Sequence, residues 1–170
     1  MARSLAPILL IAGFLPLFPS SARSQDLGVT AYGVRAGASL DDDLTQFLVG
    51  GQVDVARFTE NVRLQPFLTI GFGDDALSLM LAGEVHYLFP VDEARSRVFP
   101  YAGAGLGLSH TNYDSDEPGE RDDATTELAL LLAGGIDVPV QRWWGWFAEA
   151  RFQIADESLF RLEGGINWQY

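Results

Sequence analysis

Apolar side chains alternate with small or polar ones along eight segments of this sequence, and no other feature limits the possible folds as strongly. Each segment is about 10 to 13 residues long and is followed by a turn or loop signal. In the segment Glu127–Val138, one parity carries leucine at 128, 130 and 132, whereas the other carries Glu127 and Asp137. A period of two with unlike faces is typical of β-strands. The sequence therefore predicts an all-β fold, and its 170 residues suffice for one domain.

Two architectures use strands of this kind. A soluble barrel or sandwich hides its apolar face, whereas a membrane barrel turns that face to lipid. The polar face here favours the membrane barrel, because it consists of glycine, alanine and a few charges, without any lysine. A narrow lumen needs small side chains and charges that pair with one another. The predicted network of polar residues in the barrel interior is Arg35, Asp54, Arg63, Glu84, His86, Glu127, Asp137, Glu149, Arg151, Arg161 and Glu163.

Aromatic residues of the apolar parity fall near both ends of the predicted strands. Such a distribution is typical of the two aromatic girdles that a membrane barrel places at the lipid–water interfaces. One predicted girdle is Tyr87, Phe89, Trp144, Trp146, Trp168 and Tyr170, and the other is Phe47, Phe72, Phe152 and Phe160.

Acidic residues are concentrated in alternate connections between the predicted strands. The connections at 40–45, 73–76, 111–124 and 156–158 hold thirteen acids and one base, Arg121, whereas those at 59–61, 90–97 and 139–142 are nearly balanced. This sorting indicates an even number of strands with both termini on one side. Because lipid offers no hydrogen bonds to an open sheet edge, the sheet must close. We therefore predict an eight-stranded antiparallel up-and-down transmembrane β-barrel, whose lumen side chains can fill.

The first 24 residues have the features of a secretory signal peptide. A positive residue precedes an apolar run, and small residues follow at Ser20, Ala22 and Ser24. We predict cleavage after Ser24, which leaves 25–170 as the barrel domain. A single-pass anchor is the alternative, but the apolar run is short for a spanning helix and contains Pro7 and Pro16.

The predicted mature chain is strongly acidic and has no cysteine. Nine arginines stand against 23 acids after residue 24, which gives a formal charge of −14. Phosphate binding needs a positive surface, so nucleic acid is not an expected partner. Without cysteine the fold must obtain its stability from packing or from a membrane rather than from disulfides.

Three segments resemble the small eight-stranded outer membrane β-barrel family, which includes the OmpA transmembrane domain and the OmpX, Ail and OmpW-like proteins. They are PYAGAGLGLS at 100–109, FAEARFQI at 147–154 and LEGGINWQY at 162–170. The resemblance covers nearly all of the mature chain. It implies location in the Gram-negative outer membrane, among its lipids and lipopolysaccharide. It also implies that the barrel assembly machinery reads a C-terminal insertion signal formed by Gly164, Ile166, Trp168 and Tyr170.

Catalytic residues are not indicated by the sequence. Ser109 precedes His110, but neighbours in a strand point to opposite faces and make a poor nucleophile–base pair. The segment SHTN at 109–112 does not match the His-x-Ser-Asn signature of lipid A deacylase barrels. Glu84 and His86 share the inward face, where we interpret the histidine as part of a salt-bridge network. We therefore predict no enzymatic activity, no cofactor and no specific metal site.

The sequence thus favours a non-enzymatic integral outer membrane barrel with a structural or surface-interaction role. A narrow, OmpW-like channel for small solutes is one alternative, because Gly103, Gly105 and Gly107 would leave gaps in the lumen. A soluble, lipocalin-like ligand binder is another. The four acidic connections also suggest that loosely bound divalent cations bridge the rim to lipopolysaccharide phosphates.

Overall fold

The computed structural model describes residues 28–40, 45–73, 76–92, 96–113, 124–156 and 158–169. The predicted signal peptide and Tyr170, the last residue of the predicted insertion signal, lie outside these ranges. No helix among the described residues is long and apolar enough to cross a membrane.

Within these ranges, nine β-strands form one antiparallel sheet that closes on itself. They are β1 (Ala31–Ser39), β2 (Gln46–Asp54), β3 (Ala56–Thr59), β4 (Val62–Gly73), β5 (Ala76–Leu88), β6 (Phe99–Tyr113), β7 (Ala124–Gln141), β8 (Trp144–Ile154) and β9 (Leu159–Gln169). β1 pairs with both β2 and β9, and β2 and β3 both pair with β4. Because β2 and β3 continue each other across Val55 along the same neighbour, the barrel has eight strands around its circumference. The predicted fold class is confirmed.

The two ends of the barrel differ in their connections. We call the end with the connections 41–44, 74–75, 114–123 and 155–158 the acidic end, because these segments are rich in aspartate and glutamate. The opposite end, where β1 begins and β9 ends, is called the terminal end. Gly73 closes β4 at the acidic end with a φ of 150°, a conformation that side-chain-bearing residues rarely adopt.

Two strands are longer than the sequence predicts. β6 has 15 residues and β7 has 18, compared with the expected 10 to 13. β7 continues through Pro139 to Gln141, so the predicted connection 139–142 is wrong at its start. Proline is tolerated there because the register with β8 shifts between Pro139 and Gln141. At such an irregularity the ladder does not need the backbone N–H that proline lacks.

Burial along the strands is the reverse of that in a soluble barrel. Leu128 on β7 is 67% exposed, whereas Arg151 on the neighbouring β8 is fully buried. The outward apolar side chains thus form the surface that a bilayer would cover. The lumen is not purely polar, because one apolar cluster is buried inside it: Phe67, Met80, Ala82, Ala129 and Leu131.

Candidate functional site: the charged barrel interior

Arg151 of β8 is the centre of a buried group of charges near the middle of the lumen. Its Nε lies 2.8 Å from Oε1 of Glu84, and its NH2 lies 3.0 Å from Oε2 of the same carboxylate. NH1 donates to Glu163 over 2.9 Å, and NH2 also donates to Glu149. The guanidinium therefore binds three carboxylates, which come from β5, β8 and β9.

Arg35 of β1 completes this group. Its NH1 lies 2.9 Å from Oε2 of Glu163, and its NH2 lies 3.7 Å from Oε1 of Glu149. The first of these contacts is an ion pair without good hydrogen-bond geometry, since both atoms lack an aligned partner. We call Arg35, Glu84, Glu149, Arg151 and Glu163 the carboxylate belt. Three acids and two bases meet in it.

Aromatic rings support the belt from within the lumen. The guanidinium carbons of Arg35 and Arg151 lie 4.4 Å and 4.2 Å from the ring centre of Phe67. Arg35 also lies 5.6 Å from the ring of Phe147. Cation–π contacts of this kind gain strength when they are shielded from water, so the rings both fill space and stabilise the charges.

A second cluster lies between the belt and the terminal end. Arg63 donates to Asp137 over 2.7 Å and lies 3.8 Å from Asp54. It also donates to Nδ1 of His86 over 3.3 Å, while Nε2 of His86 lies 2.9 Å from Glu84. Because Nδ1 accepts a hydrogen bond, we assign the proton to Nε2, which donates to Glu84. His86 thus links the second cluster to the belt.

Tyr101 of β6 closes the junction between the two clusters. Its hydroxyl donates to Oε2 of Glu149 over 2.8 Å, and its ring stacks on His86 with the centres 4.8 Å apart. Arg63 lies 4.9 Å from the same ring. A cavity of about 440 Å³ opens at the terminal end, and its lining includes Asp54, Arg63 and Asp137. The second cluster is therefore reachable from that end.

Two inward glycines of β6 give the clusters their space. A Cβ atom at Gly103 would collide with the His86 ring, and one at Gly105 would collide with Glu84. The predicted gaps at these two glycines are therefore occupied by side chains from β5. At Gly107 a Cβ atom would meet Ala82 at 3.0 Å and Leu131 at 3.4 Å, so this position is closely packed as well.

The structure places nine of the eleven predicted interior residues in these contacts and separates two from them. Glu127 is half-buried near the acidic end of β7. Arg161 is buried in the lumen, but no carboxylate of the described residues lies within 4.0 Å of its guanidinium. Arg161 therefore lies in the lumen, as predicted from its parity, but takes no part in the ion pairs of the described residues. Of the insertion-signal residues, Trp168 on β9 stacks on Tyr32 with ring centres 5.5 Å apart.

Sequence reasoning missed the uncharged members of the site. Gln52 accepts from Arg35 and donates to Asn167, each over 2.7 Å, and Gln65 donates to Asp54 over 2.7 Å. Tyr101 and Phe67 were also not singled out. All of them have the inward parity of their strands, so the parity that identified the charges also identifies these residues.

Glu84, His86 and Glu149 bring possible metal ligands within 4.8 Å of one another. This arrangement differs from an open metal site, because Arg151 binds both carboxylates and supplies the positive charge there. A cation would have to displace the guanidinium, which is held by four hydrogen bonds.

Comparison with known proteins gives structural but not sequence neighbours. No protein-family model and no curated protein matches the chain. The N-terminal β-barrel domain of Pseudomonas aeruginosa OprF is similar, with a TM-score of 0.66 and 13% identity over 84% of this chain and 99% of that one. The chain has the fold of the small eight-stranded outer membrane β-barrels.

Two further structures with this outer membrane barrel fold are similar. Neisserial surface protein A gives a TM-score of 0.65 and 17% identity, over 83% of this chain and 96% of that one. Ail of Yersinia pestis gives 0.55 and 10%, over 84% and 97% of the two chains. At such identities the likeness concerns the barrel and not the loops or the lumen.

Proposed function

We propose that this protein is a non-enzymatic barrel of the Gram-negative outer membrane that acts at the cell surface through the rim formed by β6 and β7. Lipids and lipopolysaccharide surround it in this proposal, and the barrel assembly machinery inserts it after removal of the signal peptide. The acidic end faces the exterior, with divalent cations loosely held between its carboxylates and lipopolysaccharide phosphates.

The shape of the rim carries the proposal. β7 begins at Ala124, but its first pair with β8 is Leu130 with Ile154. Among the described residues, Ala124–Ala129 therefore pair with β6 alone. The other edge of this segment offers backbone N–H and C=O groups, to which an extended peptide can add as a further strand.

The filled lumen supports a role at the rim rather than conduction. His86 and Glu84 occupy the space beside Gly103 and Gly105, and Leu131 and Met80 are buried in the apolar cluster. Solutes would have to displace these side chains and the carboxylate belt in order to pass. The exposed apolar face is likewise the reverse of a soluble lipocalin-like barrel, which lines its interior with apolar side chains.

The absence of catalysis is part of the proposal. Ser109 is buried inside the barrel, while His110 is partly exposed and lies 2.8 Å from the hydroxyl of Thr126. The serine and the histidine therefore do not form a nucleophile–base pair.

The charge of the rim narrows the class of partner. Ail was crystallised with the heparin analogue sucrose octasulfate, a polyanion. The connections at the acidic end of this chain carry thirteen acids and one base, so they repel such a ligand. The partner that fits is an extended peptide segment of neutral or basic character.

Single cysteines test the orientation, because the chain contains none of its own. A membrane-impermeant maleimide should label Thr125→Cys, at the rim, on intact cells. The matched variant Arg142→Cys, in the β7–β8 turn, should react only after the outer membrane is opened. Equal labelling of both variants on intact cells would contradict the proposal.

Two further measurements distinguish the proposed role of the rim from conduction through the lumen. In the folded barrel, alternate backbone amides of Ala124–Ala129 should exchange with solvent much faster than those of Leu130–Gly134, which are paired on both sides. In planar bilayers the protein should give no single-channel conductance, whereas stable conductance steps would favour the alternative of a narrow channel for small solutes.

A further inference from the structure

We propose that Arg161 binds a small inorganic anion of halide size inside the lumen, between the carboxylate belt and the acidic end. The inference concerns the barrel interior and does not depend on the proposed role of the rim. It starts from a buried positive charge that no carboxylate of the described residues contacts.

The guanidinium of Arg161 is enclosed, and no carboxylate of the described residues pairs with it. The residue is 2% exposed, and its Nε has no hydrogen-bond partner. NH1 has one acceptor, the sulfur of Met80 at 3.4 Å, and thioether sulfur accepts hydrogen bonds only weakly. Buried charges in proteins are normally paired, because an isolated ion loses its hydration without compensation.

The nearby carboxylates do not contact Arg161, since five of their six oxygens accept hydrogen bonds from other donors and the sixth, Oε2 of Glu163, lies in an ion pair with Arg35. Both oxygens of Glu84 face Arg151, and one of them also faces His86. The oxygens of Glu149 face Arg151 and Tyr101. Those of Glu163 face Arg151 and Arg35. A negative group in direct contact with Arg161 must therefore come from outside the belt.

Neutral polar groups around Arg161 favour an anion as the occupant. Ser39 is its direct partner across β1 and β9, and the buried Ser39 hydroxyl has no hydrogen bond within the described part of the chain. The same holds for the buried hydroxyl of Thr69, a β4 residue that pairs with Met80 of β5. Hydroxyls can turn their protons towards an anion, whereas the guanidinium repels a cation. Water would satisfy the hydroxyls but would not place a negative charge in contact with the guanidinium.

The size of the anion follows from the packing. Ser39, Thr69, Met80 and Arg161 are all almost fully buried, so the space beside the guanidinium is narrow. A halide fits such a space better than a phosphate ester or a sulfated sugar, because it needs no room for substituents.

Anion-dependent stability of the refolded mature barrel tests the proposal. Sodium chloride, bromide and gluconate would be compared at equal ionic strength, and urea unfolding would be followed by tryptophan fluorescence. The wild-type midpoint should rise saturably with chloride and bromide relative to gluconate. Arg161→Met should lose most of this rise, and Arg161→Lys should keep part of it.

Arg142→Gln is the matched control, because it removes one arginine from an exposed turn. It should keep the full chloride effect, which excludes a general response to net charge. An equal chloride effect in wild type and Arg161→Met would overturn the proposal, and so would the absence of any halide effect in wild type.

Bromide-soaked crystals of the wild-type barrel give a test that needs no variant to fold. An anomalous peak should lie within about 4 Å of the Arg161 guanidinium, the range of an ion-pair contact. A carboxylate of this chain or water alone at that position would overturn the proposal.

Discussion

Arg151 and Arg161 are cross-strand partners on β8 and β9, yet their surroundings are opposite. Both are almost fully buried, at 0% and 2% exposure. Arg151 binds three carboxylates, whereas Arg161 contacts the sulfur of Met80. Two neighbouring regions of one lumen, one around each arginine, thus give the same side chain different partners.

The difference teaches that burial of an arginine does not by itself stabilise a barrel. Breaking a well-made buried ion pair leaves the other charge uncompensated, which is costly, although a whole pair contributes little compared with apolar packing. The carboxylate belt therefore determines which side chains must be present together. Arg161, in contrast, has no carboxylate partner among the described residues.

The largest expected difference between the layers comes from removing Arg151. Arg151→Met should lower the free energy of unfolding by about 3–5 kcal/mol, because Arg35 would then be the only arginine in contact with the three buried carboxylates. Urea unfolding in detergent micelles, followed by tryptophan fluorescence, measures the loss. A loss of stability no greater than that of Arg161→Met would contradict the claim that the two arginines differ in their importance for folding.

The sequence predicts the faces of the strands better than the contacts between side chains. The period of two assigns Arg151 and Arg161 correctly to the lumen, because side-chain direction alternates strictly along a strand. It does not show which lumen residues meet, since that depends on the tilt and stagger of the strands. Arg161 was for this reason grouped with charges that it does not contact.

Large inward residues and strand ends were harder to predict. Phe67 and Leu131 have the inward parity of their strands, but parity does not show that the lumen can hold such large apolar side chains. The sequence predicts a connection that ends at Ala124 and a strand from Glu127, whereas β7 begins at Ala124. Pairing with β6, which sequence periodicity does not report, holds it as a strand.

The hydroxyl of Tyr101 tests how much the stability of the carboxylate belt depends on a hydrogen-bond donor other than its two arginines. Tyr101→Phe removes the hydrogen bond to Glu149 and should cost about 1.5–3 kcal/mol, the usual range for a bond to a charged group. Tyr87→Phe, on the exposed apolar face, is the matched control and should change the unfolding midpoint little. Equal effects of the two variants would show that Glu149 does not need this donor.

Gly105 tests whether the space beside the belt is truly filled. In Gly105→Ala the new methyl group would meet the side chain of Glu84 and the carbonyl of Gly83, and overpacking of this kind costs about 1–3 kcal/mol. Gly83→Ala, where nothing lies within 4 Å of the new Cβ atom, should be tolerated. If Gly105→Ala were as stable as Gly83→Ala, the lumen would contain a gap and conduction would regain support.

The smallest effect is expected at Arg161, provided that halide is absent. In gluconate buffer Arg161→Met should change the unfolding free energy by no more than about 1 kcal/mol, because no ion pair is broken and methionine fills similar space. The same variant in chloride should be less stable than wild type, since only wild type would bind the anion. Urea midpoints in the two salts therefore separate the intrinsic cost of the buried charge from the stabilisation by its ligand. A large loss in gluconate would mean that Arg161 balances the third carboxylate of the belt through space, and the two layers would then form one electrostatic unit.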